Sequence, residues 1–257
     1  MIFDTHAHYD DEAFDSDREE LLEMLPGAGI GSVVNIAASP GSIDECLALA
    51  HKYPYVYCAL GIHPEHCAEM TDELLEEIRV KLRDEKALAV GEIGLDYYWP
   101  EPDHETQKYW FARQLRLAVE EDLPVVIHSR EAAADTMRIM KENHNGKTGG
   151  VVHCYSYSAE QAKEYVKMGY YIGIGGVLTF KNARKLVEVV REIPLEHLLL
   201  ETDCPYLAPV PFRGKRNSSL YLPYVVEKLA QIKEISGEEV IRVTEENAEK
   251  MYRLNHQ

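Results

Sequence analysis

The chain has 257 residues, of which 27 are Lys or Arg and 44 are Asp or Glu, so its formal charge is −17. With 46 % apolar and 28 % charged residues, the composition is that of a globular protein and excludes a disordered or fibrous chain. A charge of this sign also argues against a protein that coats a nucleic-acid duplex or adsorbs to an acidic membrane, because both depend on many Lys and Arg contacts.

The composition and the first residues favour a cytoplasmic protein without a membrane span. No run approaches the roughly 18 apolar residues that cross a bilayer. The opening MIFDTHAHYDDE has neither the basic start nor the apolar core of a signal peptide. The five cysteines are scattered and never form a C-x-x-C pair, which is typical of reduced thiols.

Strand-like and helix-like segments alternate along the chain. Short apolar, β-branched runs predict eight strands, at Ile2–Thr5, Ser32–Ile36, Tyr55–Leu60, Ala87–Gly91, Pro124–His128, Gly149–His153, Tyr170–Ile174 and His197–Glu201. Charged stretches with apolar residues at three-to-four spacing predict helices at Asp15–Leu25, Ser42–Lys52, Thr71–Arg83, Asp103–Glu121, Glu131–Asn143, Ala159–Met168, Ala183–Arg191, Leu220–Ile235 and Gly237–Tyr252. Each strand–helix unit takes about 32 residues, the size of a βαβ repeat.

This alternation predicts a parallel sheet, and eight such units most simply close into a single TIM-type (β/α)8 barrel of the α/β class. No linker or change of composition divides the chain, so we expect one domain over residues 1–257. An open, doubly wound sheet is the competing fold, but no G-x-G-x-x-G follows the first strand.

Residues of the types that bind metals lie at the carboxyl ends of five predicted strands, the face where barrel enzymes build their active sites. They are four histidines and two carboxylates: His6, His8, Glu92, His128, His153 and Asp203. Residues two apart on a strand share a face, so His6 and His8 point together. The set is large enough for two divalent metal ions, with Glu92 placed to bridge them.

Seven short motifs occur in order between residues 4 and 217. They are the H-x-H opening, GIHP (61–64), GEIGLD (91–96), VIHSR (126–130), VHCY (152–155), ETDCP (201–205) and RGKRN (213–217). Together they resemble the TatD family of metal-dependent deoxyribonucleases, within the amidohydrolase superfamily. The resemblance implies that the same six residues bind the metals and that the substrate is a nucleic-acid phosphodiester, often DNA, with exonuclease-like 3′–5′ trimming in some members.

For catalysis, we expect two divalent ions (Zn, Mn or Mg) to activate a water, with Glu92 as the bridge and Asp203 as the base that takes the proton. Because the chain is acidic, a short footprint on a single strand or a frayed end fits better than a broad duplex track. No membrane and no obligate protein partner is indicated.

Several further residues are candidates for binding the substrate. The family pattern suggests that His63 contacts phosphate. Arg130 offers a forked contact to phosphate, and Lys181 follows the seventh strand on the active face. The basic loop after the eighth strand contains Arg213 and Arg216, and with Asn217 it matches the family's motif.

Buried neighbours of these residues are expected to have supporting roles. Asp4 and Glu201 would hydrogen-bond metal ligands, and Cys154 and Cys204 would be small buried thiols. Two other functions stay open: hydrolysis of an ester or amide, such as misacylated aminoacyl-tRNA or a small cyclic amide, and a binding scaffold without chemistry.

Overall fold

The computed structural model describes residues 1–143 and 145–254, so residues 144 and 255–257 of the expected 1–257 domain lie outside the described part. Its strands are β1 (Ile2–Ala7), β2 (Ile30–Ile36), β3 (Val56–Leu60), β4 (Ala87–Asp96), β5 (Val125–Arg130), β6 (Gly150–Val152), β7 (Tyr170–Ile174) and β8 (Leu198–Leu200). Its α-helices are α1 (Arg18–Met24), α2 (Ser42–Lys52), α3 (Asp72–Lys81), α4 (His104–Glu120), α5 (Ala133–Asn143), α6 (Ala159–Lys167), α7 (Arg184–Glu192), α8 (Leu222–Lys233) and α9 (Gly237–Met251).

The eight strands form one sheet in the order β1 to β8, and every neighbouring pair is parallel. The segment after β8 closes this sheet on β1 through backbone hydrogen bonds: Asp203 N donates to His6 O (2.9 Å), and His8 N donates to Cys204 O (2.9 Å). The predicted (β/α)8 barrel is therefore confirmed, and the closing segment carries one of the predicted metal ligands.

The helices begin where capping chemistry predicts. Before α4, the Asp103 carboxylate accepts hydrogen bonds from the backbone N–H groups of Glu105 (3.0 Å) and Thr106 (3.1 Å). The face of α4 that contains Phe111, Leu115 and Ala118 is buried against the barrel, as its spacing predicts.

Two apolar clusters surround the strands. The larger one joins the helices to the outside of the barrel. The smaller one draws on all eight strands and on the end of α9, which places it inside the barrel. There Tyr252 stacks on Phe3 with ring centroids 6.0 Å apart and donates a hydrogen bond to Thr5 O (2.9 Å). The end opposite the polar strand ends is thus filled by side chains.

Five strands end at positions that differ from the prediction. β1 and β5 each continue two residues further than predicted, to Ala7 and Arg130. β4 continues to Asp96, because Ile93 and Leu95 are buried and pair with β5, so Glu92 lies within the strand. β6 and β8 are shorter than predicted, so His153 follows its strand directly and Asp203 lies three residues after its strand. Within the described ranges, no helix is both long enough and apolar enough to cross a membrane.

Candidate metal centre

A cavity of about 730 Å³ opens at the carboxyl ends of the strands. Five of the six predicted metal ligands line it: His8, Glu92, His128, His153 and Asp203. The sixth, His6, lies beneath the cavity with no exposed surface. The structure therefore brings together at one point all six side chains that the sequence singled out, from five separate segments of the chain.

Glu92 lies at the middle of this cluster, and its two carboxylate oxygens face different histidines. Oε1 is 2.6 Å from His153 Nε2 and 2.7 Å from His128 Nδ1. Oε2 is 3.2 Å from His6 Nε2 and 3.7 Å from His8 Nε2. One buried carboxylate thus divides the cluster into two sets of ligating atoms, which we call the β1 set and the β5–β6 set.

The β1 set consists of His6, His8 and Asp203. The Nε2 atoms of the two histidines are 3.1 Å apart, and Asp203 Oδ1 lies 3.6 Å from His6 Nε2 and 3.5 Å from His8 Nε2. All three ligating atoms lie within 4.8 Å of one another.

The β5–β6 set consists of His128 and His153, whose Nδ1 and Nε2 atoms are 3.1 Å apart. His63 lies next to this set, with its Nε2 3.7 Å from Glu92 Oε1. The structure therefore places His63, expected at the substrate phosphate, within reach of the metal-ligand atoms as well.

The chemistry of this donor set fits divalent cations. In each set, two imidazole nitrogens face each other at hydrogen-bond distance, and at most one of each pair can carry the proton between them. A cation that accepts both lone pairs together with a Glu92 oxygen satisfies all of these atoms. Imidazole with carboxylate suits zinc, manganese or iron, and the ligands alone do not choose among them.

The charges within the cluster shift the pKa values of its histidines in opposite directions. Burial, aided by the charge of a neighbouring histidine, lowers the pKa of His6 to about 4 and that of His63 to about 3, so both are neutral at neutral pH. Burial also opposes protonation of His8 and His128, but hydrogen bonds to carboxylates outweigh it and raise the pKa of each to about 9. Burial opposes ionisation of Glu92, but the charge of His153 and the hydrogen bonds from His128 and His153 outweigh it and hold the pKa of Glu92 well below its ordinary value, so Glu92 is an anion.

The sequence analysis missed Asp96, at the end of β4. Its Oδ2 lies 3.0 Å from Nε2 of His128, on the side of the ring that faces away from Glu92. Asp96 is 2 % exposed and lines the cavity. Its position could have been found, because it follows Glu92 by four residues and an even spacing on a strand keeps two side chains on one face.

Asp4 and Glu201, the two carboxylates expected to support the metal ligands, accept hydrogen bonds from hydroxyl and backbone N–H groups. Asp4 accepts hydrogen bonds from Thr202 Oγ1 (2.8 Å) and Ser219 Oγ (2.6 Å), and its only contact with His6 is to the backbone N–H (3.3 Å). Glu201 Oε1 accepts from Cys154 N (2.5 Å). Asp4 thus hydrogen-bonds a predicted ligand, His6, through its backbone, and Glu201 hydrogen-bonds the backbone of the residue after His153.

Three buried polar atoms beneath the centre have no hydrogen-bond partner among the described residues: Nδ1 of His6, Nδ1 of His153 and Oε2 of Glu201. Unpaired buried atoms are uncommon, and a cluster of them is typical of a site completed by water or an ion.

The two cysteines near the centre differ in burial. Cys204 is fully buried as expected, whereas Cys154 is only partly buried and forms part of the cavity wall.

Of the remaining predicted substrate-binding residues, the structure brings only Arg130 to the cavity wall. Arg213 lies over the Phe180 ring, 4.3 Å from its centroid, and Lys181, the residue after Phe180, is exposed outside the cavity lining.

Arg216 and Asn217 have structural contacts instead. Arg216 forms a two-pronged ion pair with Asp17 (2.7 and 2.6 Å) and donates to Ala13 O (2.7 Å). Asn217 is 1 % exposed; its Nδ2 donates to Thr202 O (2.9 Å) and its Oδ1 accepts from Ser218 N (2.9 Å). Neither side chain lines the cavity. Their polar groups instead bind Asp17 and Thr202 and so stabilise the loop after β8.

Known proteins that resemble this chain include metal-dependent hydrolases and structures of the same fold. The family model described as TatD related DNase matches residues 3–253. YabD of Bacillus subtilis, described as an uncharacterized metal-dependent hydrolase, is 43 % identical over 255 residues, which span 99 % of this chain and 100 % of YabD. The crystal structure of YjjV, a TatD homologue from Escherichia coli K12, matches with a TM-score of 0.93 at 35 % identity and covers 99 % of this chain and 98 % of YjjV. A TatD family hydrolase from Entamoeba histolytica shares the fold, with a TM-score of 0.88, 24 % identity and coverage of 98 % and 97 %.

Proposed function

The chain belongs to the TatD related DNase family and is a metal-dependent hydrolase, and from that premise we propose that it cleaves nucleic-acid phosphodiester bonds, as a DNase that trims single-stranded or frayed 3′ ends. The observation that carries this proposal is the position of Glu92. Its Oε1 faces His128 and His153, and its Oε2 faces His6 and His8. Such an arrangement suits two adjacent cations, as in many hydrolases of phosphate esters.

The residues that would hold two cations follow from the two sets. The β1 set with Glu92 Oε2 would hold one, and the β5–β6 set with Glu92 Oε1 would hold the other. Bound there, divalent cations supply Lewis acidity, which lowers the pKa of a water molecule and neutralises charge on a phosphate oxygen.

Asp203 is the proposed general base. Its side chain is 17 % exposed on the cavity wall, so it can reach a water molecule that enters from solvent. Burial opposes its ionisation, but the hydrogen bond from His8 and the charges of His153 and His8 keep the pKa of Asp203 below its ordinary value. An ionised carboxylate at this position can orient an attacking water and accept its proton.

The phosphate-binding groups on the cavity wall are few, namely His63 and Arg130. Acidic residues flank them, with Asp10, Asp11 and Glu65 on the same wall. A duplex laid across this mouth would bring many phosphates near these acids, whereas a single strand entering end-on brings few. This distribution of charge supports a substrate with a free or frayed end.

The test is cleavage of a 3′-labelled single-stranded DNA oligonucleotide by protein stripped of metal and resupplied with Mg, Mn or Zn. His128→Ala is the loss-of-function variant, and His51→Ala is the matched control, because His51 is an exposed histidine that contacts Asp84 on the surface. We expect metal-dependent loss of terminal nucleotides, absent in His128→Ala and retained in His51→Ala. No cleavage by folded, metal-loaded protein would overturn the proposal and favour ester or amide substrates, starting with aminoacyl-tRNA.

A further inference from the structure

Two large aromatic side chains are exposed in the loop between β4 and α4, which contacts Arg130 of the cavity wall. Tyr98 is 49 % exposed and Trp99 is 47 % exposed. Their rings meet edge to face, with centroids 4.7 Å apart. The guanidinium of Arg130 lies 3.8 Å from the centroid of the Tyr98 ring. We call Tyr98, Trp99 and Arg130 the aromatic platform.

The aromatic platform is joined to the metal centre by direct contacts. Tyr98 N donates to Asp96 Oδ1 (2.9 Å), and Asp96 Oδ2 contacts His128 Nε2 (3.0 Å). Arg130 is both part of the platform and part of the cavity wall, with its Nη1 4.0 Å from Asp96 Oδ2. These contacts link the backbone at Tyr98 and the Arg130 side chain to a predicted metal ligand.

The preceding residue shows that aromatic character alone does not leave a ring exposed in this loop. Tyr97 stacks on His104 with centroids 3.7 Å apart, and its hydroxyl donates to Asp135 Oδ2 (2.7 Å). Tyr97 is thus used to anchor the loop, while Tyr98 and Trp99 keep about half of their surface in solvent. Two exposed rings beside an anchored one are costly in water unless a ligand covers them.

We propose that the aromatic platform stacks an unpaired nucleobase of the strand whose phosphodiester lies at the metal centre. This inference rests on the proposed function and names how the substrate is recognised. Every base has a π face that can stack on Tyr or Trp, whereas a base inside a duplex cannot leave its neighbours without cost. Arg130 adds a cation that can pair with the backbone phosphate beside that base. The platform therefore selects single-stranded ends without reading their sequence.

A kinetic comparison of two substrates tests the proposal. One is a single-stranded DNA oligonucleotide, and the other is the same oligonucleotide with abasic sites at its 3′ end, which offers phosphodiesters but no base to stack. For Trp99→Ala we expect the ratio of kcat/KM for the intact oligonucleotide to that for the abasic one to fall roughly tenfold, through KM for the intact oligonucleotide. Tyr109→Ala is the matched control, because Tyr109 is 55 % exposed on α4 and its ring contacts Trp110 and Arg113 instead of the aromatic platform.

Fluorescence gives a second readout that does not depend on turnover. The chain has two tryptophans, so Trp110→Phe leaves Trp99 as the reporter. In metal-loaded protein of this variant, a phosphorothioate oligonucleotide should quench the emission saturably. The same oligonucleotide with abasic sites at its 3′ end should bind about tenfold more weakly and quench little.

The outcomes separate this inference from the proposed function. If the protein cleaves the oligonucleotide and Trp99→Ala leaves the substrate ratio at the wild-type value, the platform does not bind a base and the nuclease proposal stands. If the protein cleaves no oligonucleotide, the nuclease proposal fails, and the platform is judged by the quenching alone. Equal quenching by intact and abasic oligonucleotides overturns the stacking proposal in either case.

Discussion

The carboxylate of Asp96 lies 3.0 Å from one ring nitrogen of His128, while the other ring nitrogen lies 2.7 Å from Glu92. A hydrogen bond from Nε2–H to Asp96 leaves the lone pair of Nδ1 directed at the centre of the cluster. Carboxylates in this position fix the tautomer and orientation of a metal-binding histidine and raise its basicity. We therefore predict that Asp96 positions His128 for metal binding.

Removing this support should weaken metal binding. For Asp96→Ala we expect the Kd for Mn²⁺, measured by titration calorimetry, to rise about 10- to 100-fold. Asp84→Ala is the matched control, because Asp84 makes a similar contact with His51 (2.8 Å) on the surface. A Kd for Asp96→Ala within twofold of the wild-type value would show that Asp96 does not position the ligand.

The fold and the clustering of the six predicted metal ligands could be predicted because both follow from local pattern. Apolar runs and three-to-four spacing mark the elements, and parallel strands in a barrel must bring their carboxyl ends together. Asp96 was missed because Glu92 interrupts the apolar run of β4 and made the strand seem to end early. Nothing in a short window shows that Ile93 and Leu95 continue it by pairing with β5.

The roles within the basic loop could not be predicted, because they depend on partners far away in the chain. Arg216 pairs with Asp17, 199 residues earlier, and Asn217 holds Thr202. The sequence shows that cationic and amide side chains lie close together, but it does not show which of their hydrogen-bond donors are paired within the folded chain. A basic loop in an acidic chain therefore suggests substrate contacts, whereas in the structure Arg216 and Asn217 bind other parts of the same chain.

Any side chain at Gly173 should lower the stability of the fold. A Cβ at this position would lie 2.2 Å from Oε2 of Glu201, whose other oxygen is held by Cys154 N. We expect Gly173→Ala to lower the free energy of unfolding by roughly 1–3 kcal/mol in urea denaturation, because a tightly packed interior must shift. Gly27→Ala, where a Cβ meets nothing within 4 Å, should stay within about 0.5 kcal/mol of wild type. Equal stability of the two variants would contradict the close packing of Glu201 over Gly173.

The ion pair between Arg216 and Asp17 should act on stability and not on substrate binding. Both side chains are about one-third exposed, at 34 % and 38 %, so solvent screens the pair. We expect Arg216→Ala and Asp17→Ala each to lower the free energy of unfolding by about 1 kcal/mol, with little further loss in the double variant. A rise in KM for the oligonucleotide in Arg216→Ala, without one in Asp17→Ala, would instead identify Arg216 as a phosphate contact.

Binding of single-stranded DNA should depend only weakly on salt. Two or three phosphate contacts predict a slope of log K against log salt between about −1.4 and −2.1. The measurement is a titration of a phosphorothioate oligonucleotide over a range of NaCl concentrations, with the metal concentration held constant. A slope steeper than about −5.6, equivalent to eight contacts, would contradict the short footprint.

The central claim is that Glu92 lies between two divalent cations, and anomalous diffraction from crystals soaked in Mn²⁺ tests it most directly. We expect two anomalous peaks, one between Glu92 Oε2 and the β1 set and one between Glu92 Oε1 and the β5–β6 set. A single peak, or two peaks of which only one contacts Glu92, would contradict the bridging role and the two-cation mechanism built on it.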